Sequence, residues 1–404
     1  MTLPKPDFGP SRPLRLAYVL SHPIQYQAPM IRRIAAEPDI DITVFYQSDF
    51  SVRGFFDPGF GREIAWDVPL LDGYKSEFLP ALGRRAPSPY LYPLNYGIGG
   101  RLRTGQFDAL WVHGYARWFN WVAMLAARRQ GLAVLLRDEA TLISAPRSPA
   151  KQRAKQLFMA VLRACVDGIL AIGSRNRDYY LAHGFAAERI FPMPYCVDND
   201  AFAASAATDT AATDTLRHDL RLEPGRPVIL FVSKLQARKH PEHLLAAYRR
   251  LSGPKPYLLF AGDGAARPAL EIEASDDPDI RFLGFQGQSA LGPLLALADV
   301  FVLPSVHEPW GLVVNEAMSA GCALVLSDQV GAAADLVHAG INGLTYPAGD
   351  IGALASALTQ ILGTPGLSRR MGAESRRLIA GWSFEQDVAG LRLALAATVP
   401  GFPT

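Results

Sequence analysis

The chain alternates short apolar runs with stretches of helical periodicity, and it does so in two successive series. The first opens with LRLAYVL at 14–20, passes a helix expected over 29–36, and continues through ITVFYQ at 42–47 and ALWVHG at 109–114. A helix expected over 118–129 then precedes AVLLRDE at 133–139 and GILAIG at 168–173. The second series runs PVILFVS at 227–233, YLLFAG at 257–262, IRFLGF at 280–285, VFVLPS at 300–305 and ALVLSD at 323–328. Continuous apolar runs separated by helical patterns are the sign of βαβ units and parallel sheets. The expected class is α/β, with two doubly wound domains in tandem.

Between the series, DNDAFAASAATDTAATDT lacks large apolar residues after Phe202 and reads as a linker or exposed hinge. This gives an N-terminal domain over 1–200, a linker over 201–226 and a C-terminal domain over 227–382. The helix over 383–404 is expected to pack back on the first domain. Ligands of open α/β sheets bind beyond the carboxyl ends of the strands, so the expected site is the cleft between the domains.

Composition narrows the class. A chain of 404 residues is too long for one ordinary core, and 49% hydrophobic with 19% charged residues excludes a disordered or nucleic-acid-coating protein. The three cysteines, Cys165, Cys196 and Cys322, show no CxxC spacing and indicate neither a disulfide framework nor a zinc site. There is no apolar signal core at the N-terminus and no run near the roughly 18 to 20 apolar residues that span a bilayer. The expected location is the cytoplasm. Residues 1–200 carry 24 basic against 18 acidic side chains and the remainder 16 against 20. That asymmetry fits either an ordinary solvated surface or a first domain that meets an anionic lipid or acceptor.

The most informative segment is HEPWGLVVNEAMSAG at 307–321. A strand ends near Ser305, passes Pro309 and Gly311 and enters a helix, with Glu308 before it and Glu316 within it. A helix start offers unpaired amides and a positive dipole end to a diphosphate, and carboxylates accept hydrogen bonds from sugar or ribose hydroxyls. Taken separately, Glu308 is a surface acid and Glu316 a helix-face acid. A second element, VSKLQARKHPEHLLAAY at 232–248, sets Lys234 and Lys239 between a strand end and a helix. Alone this is a solvated loop; beside the glutamates it suits the charge that builds on a departing diphosphate.

Together these segments resemble the retaining glycosyltransferases of family GT4, which have the GT-B architecture of two facing Rossmann-like domains. The resemblance extends to AYVLSHPIQYQAPMIRRIA, GSRNRDYYLAHGFAAERIFPMPYCVDNDAF, AGDG at 261–264 and FLGF at 282–285, and its most specific part is the EX7E motif of EPWGLVVNE. It implies that Glu308 holds hydroxyls of the donor sugar and Glu316 the ribose. It places the phosphates on the Leu312 and Val313 amides just after Gly311, the diphosphate on Lys234 and Lys239, and the base near Phe285 and Gln286. Lys234 stands where many relatives have Arg, exchanging a bidentate fork for a point charge of the same sign. His113, at the end of a first-domain strand, corresponds to a histidine near the reacting carbon, so the catalytic set is His113, Lys239 and Glu308. Arg137, Asp138 and Glu139 end the next strand, with Arg137 and Glu139 as candidate donor or acceptor contacts.

One departure concerns the loop after the first strand. Many relatives have a Gly-rich loop there, whereas this chain has SHPIQY at 21–26, and Pro23 has no N–H to offer. Binding is then expected through the side chains of His22, Gln25 or Tyr26, the plainer alternative being that they shape a turn. The triplets at 39–41, 198–200 and 277–279 resemble DxD but lie in turn-like or linker contexts, and two lysines supply the charge a metal would provide. No metal or cofactor is expected. P-loop, HExxH and GxSxG motifs do not occur, against NTPase, zincin and hydrolase chemistry.

The expected activity is transfer of a sugar from a nucleoside-diphosphate sugar, UDP by default, to an acceptor hydroxyl with retention. The acceptor would be a bacterial cell-surface glycan, a glycolipid or a small molecule; no nucleic acid is expected. Two stretches bear on the acceptor: residues 84–103, aromatic and basic, and SPAKQRAKQLFMAVLRA at 148–164. The latter reads either as a half-buried helix or as a basic amphipathic helix in peripheral contact with the inner face of the membrane. Two rival readings are a nucleotide-sugar epimerase of the same architecture, which needs no acceptor, and a non-catalytic nucleotide-sugar-binding subunit.

Overall fold

The computed structural model describes Phe8 and residues 12–82, 94–143, 149–208 and 210–403. Residues 84–93 of the expected acceptor stretch lie outside these. The chain forms two compact units, one made of Met1–Phe55, Val68–Tyr195 and Phe384–Thr404, the other of Phe56–Asp67 and Cys196–Ser383.

The first unit is built on a seven-stranded parallel sheet. In spatial order its strands are Ile190–Pro192, Gly168–Ala171, Ala133–Arg137, Ala109–His113, Leu14–Leu20, Ile40–Tyr46 and Lys75–Phe78. The pleat sends alternate residues of Leu14–Leu20 to opposite faces. Leu16 and Tyr18 join Trp111 and Leu135 on one face, while Ala17 and Val19 join Leu110, Val112 and Leu136 on the other. Helix Trp118–Arg129 covers the second face through Phe119, Ala123 and Met124, and helix Gln27–Ala35 supplies Met30, Ile31 and Ile34 to the first. Each such buried Leu, Ile, Val, Met or Phe side chain contributes about 1.5–3 kcal/mol.

The last helix, Phe384–Thr398, completes the first face with Val388, Leu391, Ala394 and Leu395. It approaches so closely that a Cβ on Gly390 would lie 1.8 Å from the Pro192 carbonyl oxygen. Its Asp387 is fully buried and accepts from Arg137 Nη2 at 3.0 Å, while the same nitrogen donates to the carbonyls of Met193 and Pro194 at 2.9 Å. Arg392 grips both oxygens of Asp39 at 2.8 Å.

The second unit has a six-stranded parallel sheet in the order Ile280–Gly284, Tyr257–Ala261, Val228–Val232, Val300–Leu303, Ala323–Ser327 and Gly343–Tyr346. Counted along the chain, this is 3-2-1-4-5-6, the doubly wound order of dinucleotide-binding sheets. The stretch expected to be a linker is instead two helices, Asn199–Thr208 and Thr210–Asp219, packed against helices Gln288–Leu297 and Val313–Ala320. Alanine is the best helix former and lets backbones approach closely, so a run without large side chains can still dock. Asn199 fastens this layer, donating to the carbonyls of Ile379 and Trp382 and accepting from Ser319 Oγ at 3.0 Å.

Candidate functional site

Each sheet reverses its winding between its first and fourth strands, and the candidate residues follow those strands. In the second unit, Val228–Val232 leads to Lys234 and Lys239, and Val300–Leu303 leads to Glu308 and Gly311. These two strands are neighbours, so their loops emerge side by side at the carboxyl edge of the sheet. The Val306 amide donates to the Arg238 carbonyl at 3.1 Å and ties the loops together.

Lys239 and Glu308 are both buried and form an ion pair, with Arg238 Nη1 3.7 Å from the same carboxylate oxygen. The Glu308 backbone is fixed from the other side: its amide donates to Gln329 O at 3.2 Å and its carbonyl accepts from Gly331 N at 2.8 Å. A Cβ on Gly331 would lie 1.8 Å from the Pro309 carbonyl oxygen, so only glycine allows this approach. Gly311 turns the chain with φ +95° into helix Val313–Ala320, whose first-turn amides, including those of Leu312 and Val313, have no intrahelical acceptor. Trp310 is buried behind the turn, donating to Asn315 Oδ1 at 3.0 Å and stacking on Trp382. Glu316 is fully buried in the first turn. The arrangement can therefore receive an anion at the helix start beside a buried cation and present a carboxylate to hydroxyl groups.

Lys234 is half-buried and held by a residue the sequence pattern did not mark: its Nζ lies 2.8 Å from both carboxylate oxygens of Asp57. Phe285 follows the strand Ile280–Gly284 and meets Phe60 edge-on at 4.9 Å. Gln286 turns its amide nitrogen back to the Leu283 carbonyl at 2.8 Å. After Lys239, the ligand atoms of His240, Glu242 and His243 lie within 4.8 Å of one another. Glu242 already accepts from His240 at 2.6 Å, and the two imidazoles stack at 4.2 Å. Stacked rings keep their lone pairs side by side rather than converging on an ion.

In the first unit the reversal lies between Leu14–Leu20 and Ala109–His113, with His22 in the loop after one and His113 ending the other. Tyr18 Oη donates to Gln27 Oε1 and is 3.2 Å from His113 Nδ1. With the hydroxyl hydrogen directed at Gln27, Nδ1–H donates to the tyrosine, and the His113 lone pair is on Nε2. Burial pushes His113 down to about 3, helped by the Arg137 charge and by His22; burial and then Arg117 bring His22 to about 4. Both imidazoles are neutral near pH 7. The Gln25 carboxamide oxygen is buried and has no hydrogen-bond partner among the described residues, while Tyr26 precedes helix Gln27–Ala35.

One expectation for this unit changes. Arg137 points into the protein, its donors directed at Asp387, Met193 and Pro194, so it secures the last helix rather than a ligand. Burial raises the Asp138 carboxyl, which accepts from Asn176 and the Ala140 amide inside the fold. Glu139 is exposed and accepts from Tyr195 Oη at 2.9 Å.

Residues 212–378 match the family model for glycosyl transferases group 1. That match covers less than half of the chain. Lys234, Lys239, Phe285, Gln286, Glu308, Gly311, Leu312, Val313 and Glu316 all fall inside it, whereas His22, Gln25, Tyr26, His113, Arg137 and Glu139 fall outside. Similar curated proteins include the α-D-kanosaminyltransferase of Streptomyces kanamyceticus, 32% identical over 56% of this chain and 58% of that protein. Another is the lipopolysaccharide core biosynthesis glycosyltransferase LpsE of Rhizobium meliloti, 32% identical over 48% and 54%. The chain thus spans little more than half the length of these relatives. Among solved structures, Anabaena HepE in complex with UDP superposes with a TM-score of 0.72 at 16% identity, covering 95% of this chain and all of that one. A glycosyltransferase from Rickettsia africae gives 0.71 at 14% identity, over 95% and 98%. The fold is that of GT-B glycosyltransferases.

Proposed function

We propose that the protein transfers a sugar from a nucleoside-diphosphate sugar, by default a UDP-sugar, to an acceptor hydroxyl with retention of configuration, in the synthesis of a bacterial surface glycan or glycolipid. The observation that carries this is the buried Lys239–Glu308 pair set ahead of helix Val313–Ala320 at the winding reversal of the second sheet. The diphosphate lies at the Leu312 and Val313 amides with Lys239 beside it, Glu308 accepts from sugar hydroxyls, Glu316 from the ribose, and the base rests at Phe285 and Gln286. A low-dielectric site makes these charges effective as the bond to phosphate breaks. In the first unit His113 accepts a ligand hydroxyl through Nε2; an imidazole pushed down to about 3 is too weak a base to take a proton outright. The departing diphosphate then serves as the acceptor's base on the same face, which retains configuration. Lys239 and the helix start supply the positive charge, so the reaction needs no metal. The UDP of the HepE complex makes uracil the first base to test.

The test is a thermal-shift and turnover screen against UDP-, GDP-, ADP- and dTDP-sugars, repeated with Lys239→Ala and Glu316→Ala, with the product anomer read by NMR. Stabilisation by one nucleotide, lost in both variants, supports the reading; donor conversion without transfer would point to an epimerase, and silence toward all four would overturn it.

A peripheral membrane contact is a second element of the proposal. Helix Pro149–Cys165 carries Lys151, Arg153, Lys155 and Arg163 and no acidic residue, with Leu157 70% and Val161 49% exposed one turn apart. Lys155 reaches Tyr115 and Arg163 reaches the His183 carbonyl, which leaves Lys151 and Arg153 for anionic headgroups. No described helix is long and apolar enough to cross a membrane. Co-sedimentation with phosphatidylglycerol vesicles, abolished by Leu157→Glu, would support the contact; equal sedimentation of both proteins would exclude it.

A further inference from the structure

Residues 56–67 interrupt the first unit in sequence but belong to the second in space. They carry a small hairpin of strands Phe55–Asp57 and Arg62–Ile64. Its turn is held locally, Asp57 Oδ1 accepting from the Gly59 and Phe60 amides at 2.7 and 3.1 Å. Its far end is held by Asp67, which accepts from the Gln288 and Ser289 amides at 3.1 Å and from Ser289 Oγ at 2.5 Å, at the start of helix Gln288–Leu297.

Between these anchors the hairpin lies on the residues assigned to the donor. Both Asp57 oxygens lie 2.8 Å from Lys234 Nζ, and that ammonium is 4.6 Å from the centre of the Phe60 ring. Phe60 abuts Phe285, the Arg62 guanidinium is 5.6 Å from the Phe285 ring centre, and the Gly59 carbonyl approaches Gly264 of the AGDG turn. Burial would raise the Asp57 carboxyl, but the Lys234 bond and charge and the two amides hold it below the ordinary carboxylate range. It is therefore an anion at neutral pH.

We propose that this hairpin is a strap over the donor site and that Asp57 is an internal anion on Lys234, occupying the ammonium that a nucleoside diphosphate must take. The proposal rests on the donor reading given above. A carboxylate and a phosphate oxygen compete for the same three N–H donors, so nucleotide entry breaks the Asp57–Lys234 pair and Asp57 sets the donor affinity. The same competition helps expel the product diphosphate, because Asp57 reclaims Lys234 as it leaves.

The experiment is calorimetric titration of UDP, GDP, ADP and dTDP into wild type, Asp57→Asn, Lys234→Ala and the double variant, each checked for a wild-type melting profile. Asp57→Asn is expected to tighten binding of the recognised nucleotide about tenfold, the size of one charge-assisted contact. Lys234→Ala is expected to weaken it, and Asp57→Asn is expected to have no further effect in the Lys234→Ala background. Asp57→Glu, which keeps the charge, is expected to stay within about threefold of wild type on the same scale. If wild type binds and Asp57→Asn binds equally or more weakly, the strap is overturned while the donor reading stands. If wild type binds nothing and Asp57→Asn binds, the strap is supported as a closed latch. If no variant binds any nucleotide, the donor reading fails and the strap with it.

Discussion

The two units share one winding plan, and at its reversal they present opposite electrostatics. In the first unit His22 and His113 are driven neutral by burial and hydrogen-bonded through Ser21 and Tyr18. In the second, Lys234, Arg238, Lys239 and Glu308 are paired with one another or with Asp57. The topology delivers loops to the same edge of each sheet, but whether a loop carries charge depends on what lies opposite it. A lone imidazole sheds its proton to enter a dry site, whereas a cation can stay charged in one if a carboxylate comes with it.

The contrast can be broken most sharply at its charged end. Lys239→Ala removes the partner of a buried carboxylate and is expected to lower kcat/KM with the recognised donor by about a thousandfold, near the 3–5 kcal/mol of a broken buried pair. Steady-state kinetics on folded protein decide it; a change below tenfold would mean that the pair is structural. The first unit has its own buried pair, one strand over from the reversal. Asp387→Ala leaves Arg137 without its carboxylate and is expected to cost about 3–5 kcal/mol in urea unfolding while leaving nucleotide binding to folded protein unchanged.

The neutral histidines predict an acid limb. A group whose folded pKa lies below its unfolded value takes its proton first in the unfolded chain, so stability falls as pH drops from about 6.5 toward about 3. In His113→Asn that limb should lose the slope of one proton, as read from melting temperature against pH; an unchanged slope would show that His113 titrates normally. Smaller still, Tyr18→Phe removes the hydroxyl between Gln27 and His113 and is expected to cost about 1 kcal/mol and a several-fold loss of kcat. As the solvent-exposed limit, Glu385→Gln breaks the Arg33 pair at 2.7 Å and should change stability by less than about 1 kcal/mol, shrinking with salt.

Much of this was legible in the order of residues. The alternation of apolar runs and helical stretches marks both sheets, because strands buried on two faces must be apolar throughout. The run from Glu308 to Glu316 marks the proposed donor side, because its turn, helix start and carboxylates are neighbours in sequence. The strand Lys75–Phe78 escaped notice, since an edge strand with exposed Lys75 and Ser76 lacks the apolar signature. The helices over 199–219 escaped because alanine and threonine carry little periodicity. Arg137 and Asp57 could not be read at all: their partners lie 250 and 177 positions away, and nothing local distinguishes a buried arginine from a ligand-binding one. For Asp57 the Asp-Pro-Gly sequence announces a turn but not what the turn faces.

The membership of the last helix and of the hairpin bears on how such proteins can be recombined. The backbone changes unit after Phe55, after Asp67, after Tyr195 and after Ser383. A chimera cut once near residue 195 would therefore set one parent's first sheet against the other parent's core-filling last helix, and the second parent's Lys234 against the first parent's hairpin. Exchanging the second unit between relatives calls for a graft of two pieces, 56–67 together with 196–383, leaving 384–404 with the host. If the hairpin acts as the proposed strap, drift in the short piece retunes donor affinity without touching the long one.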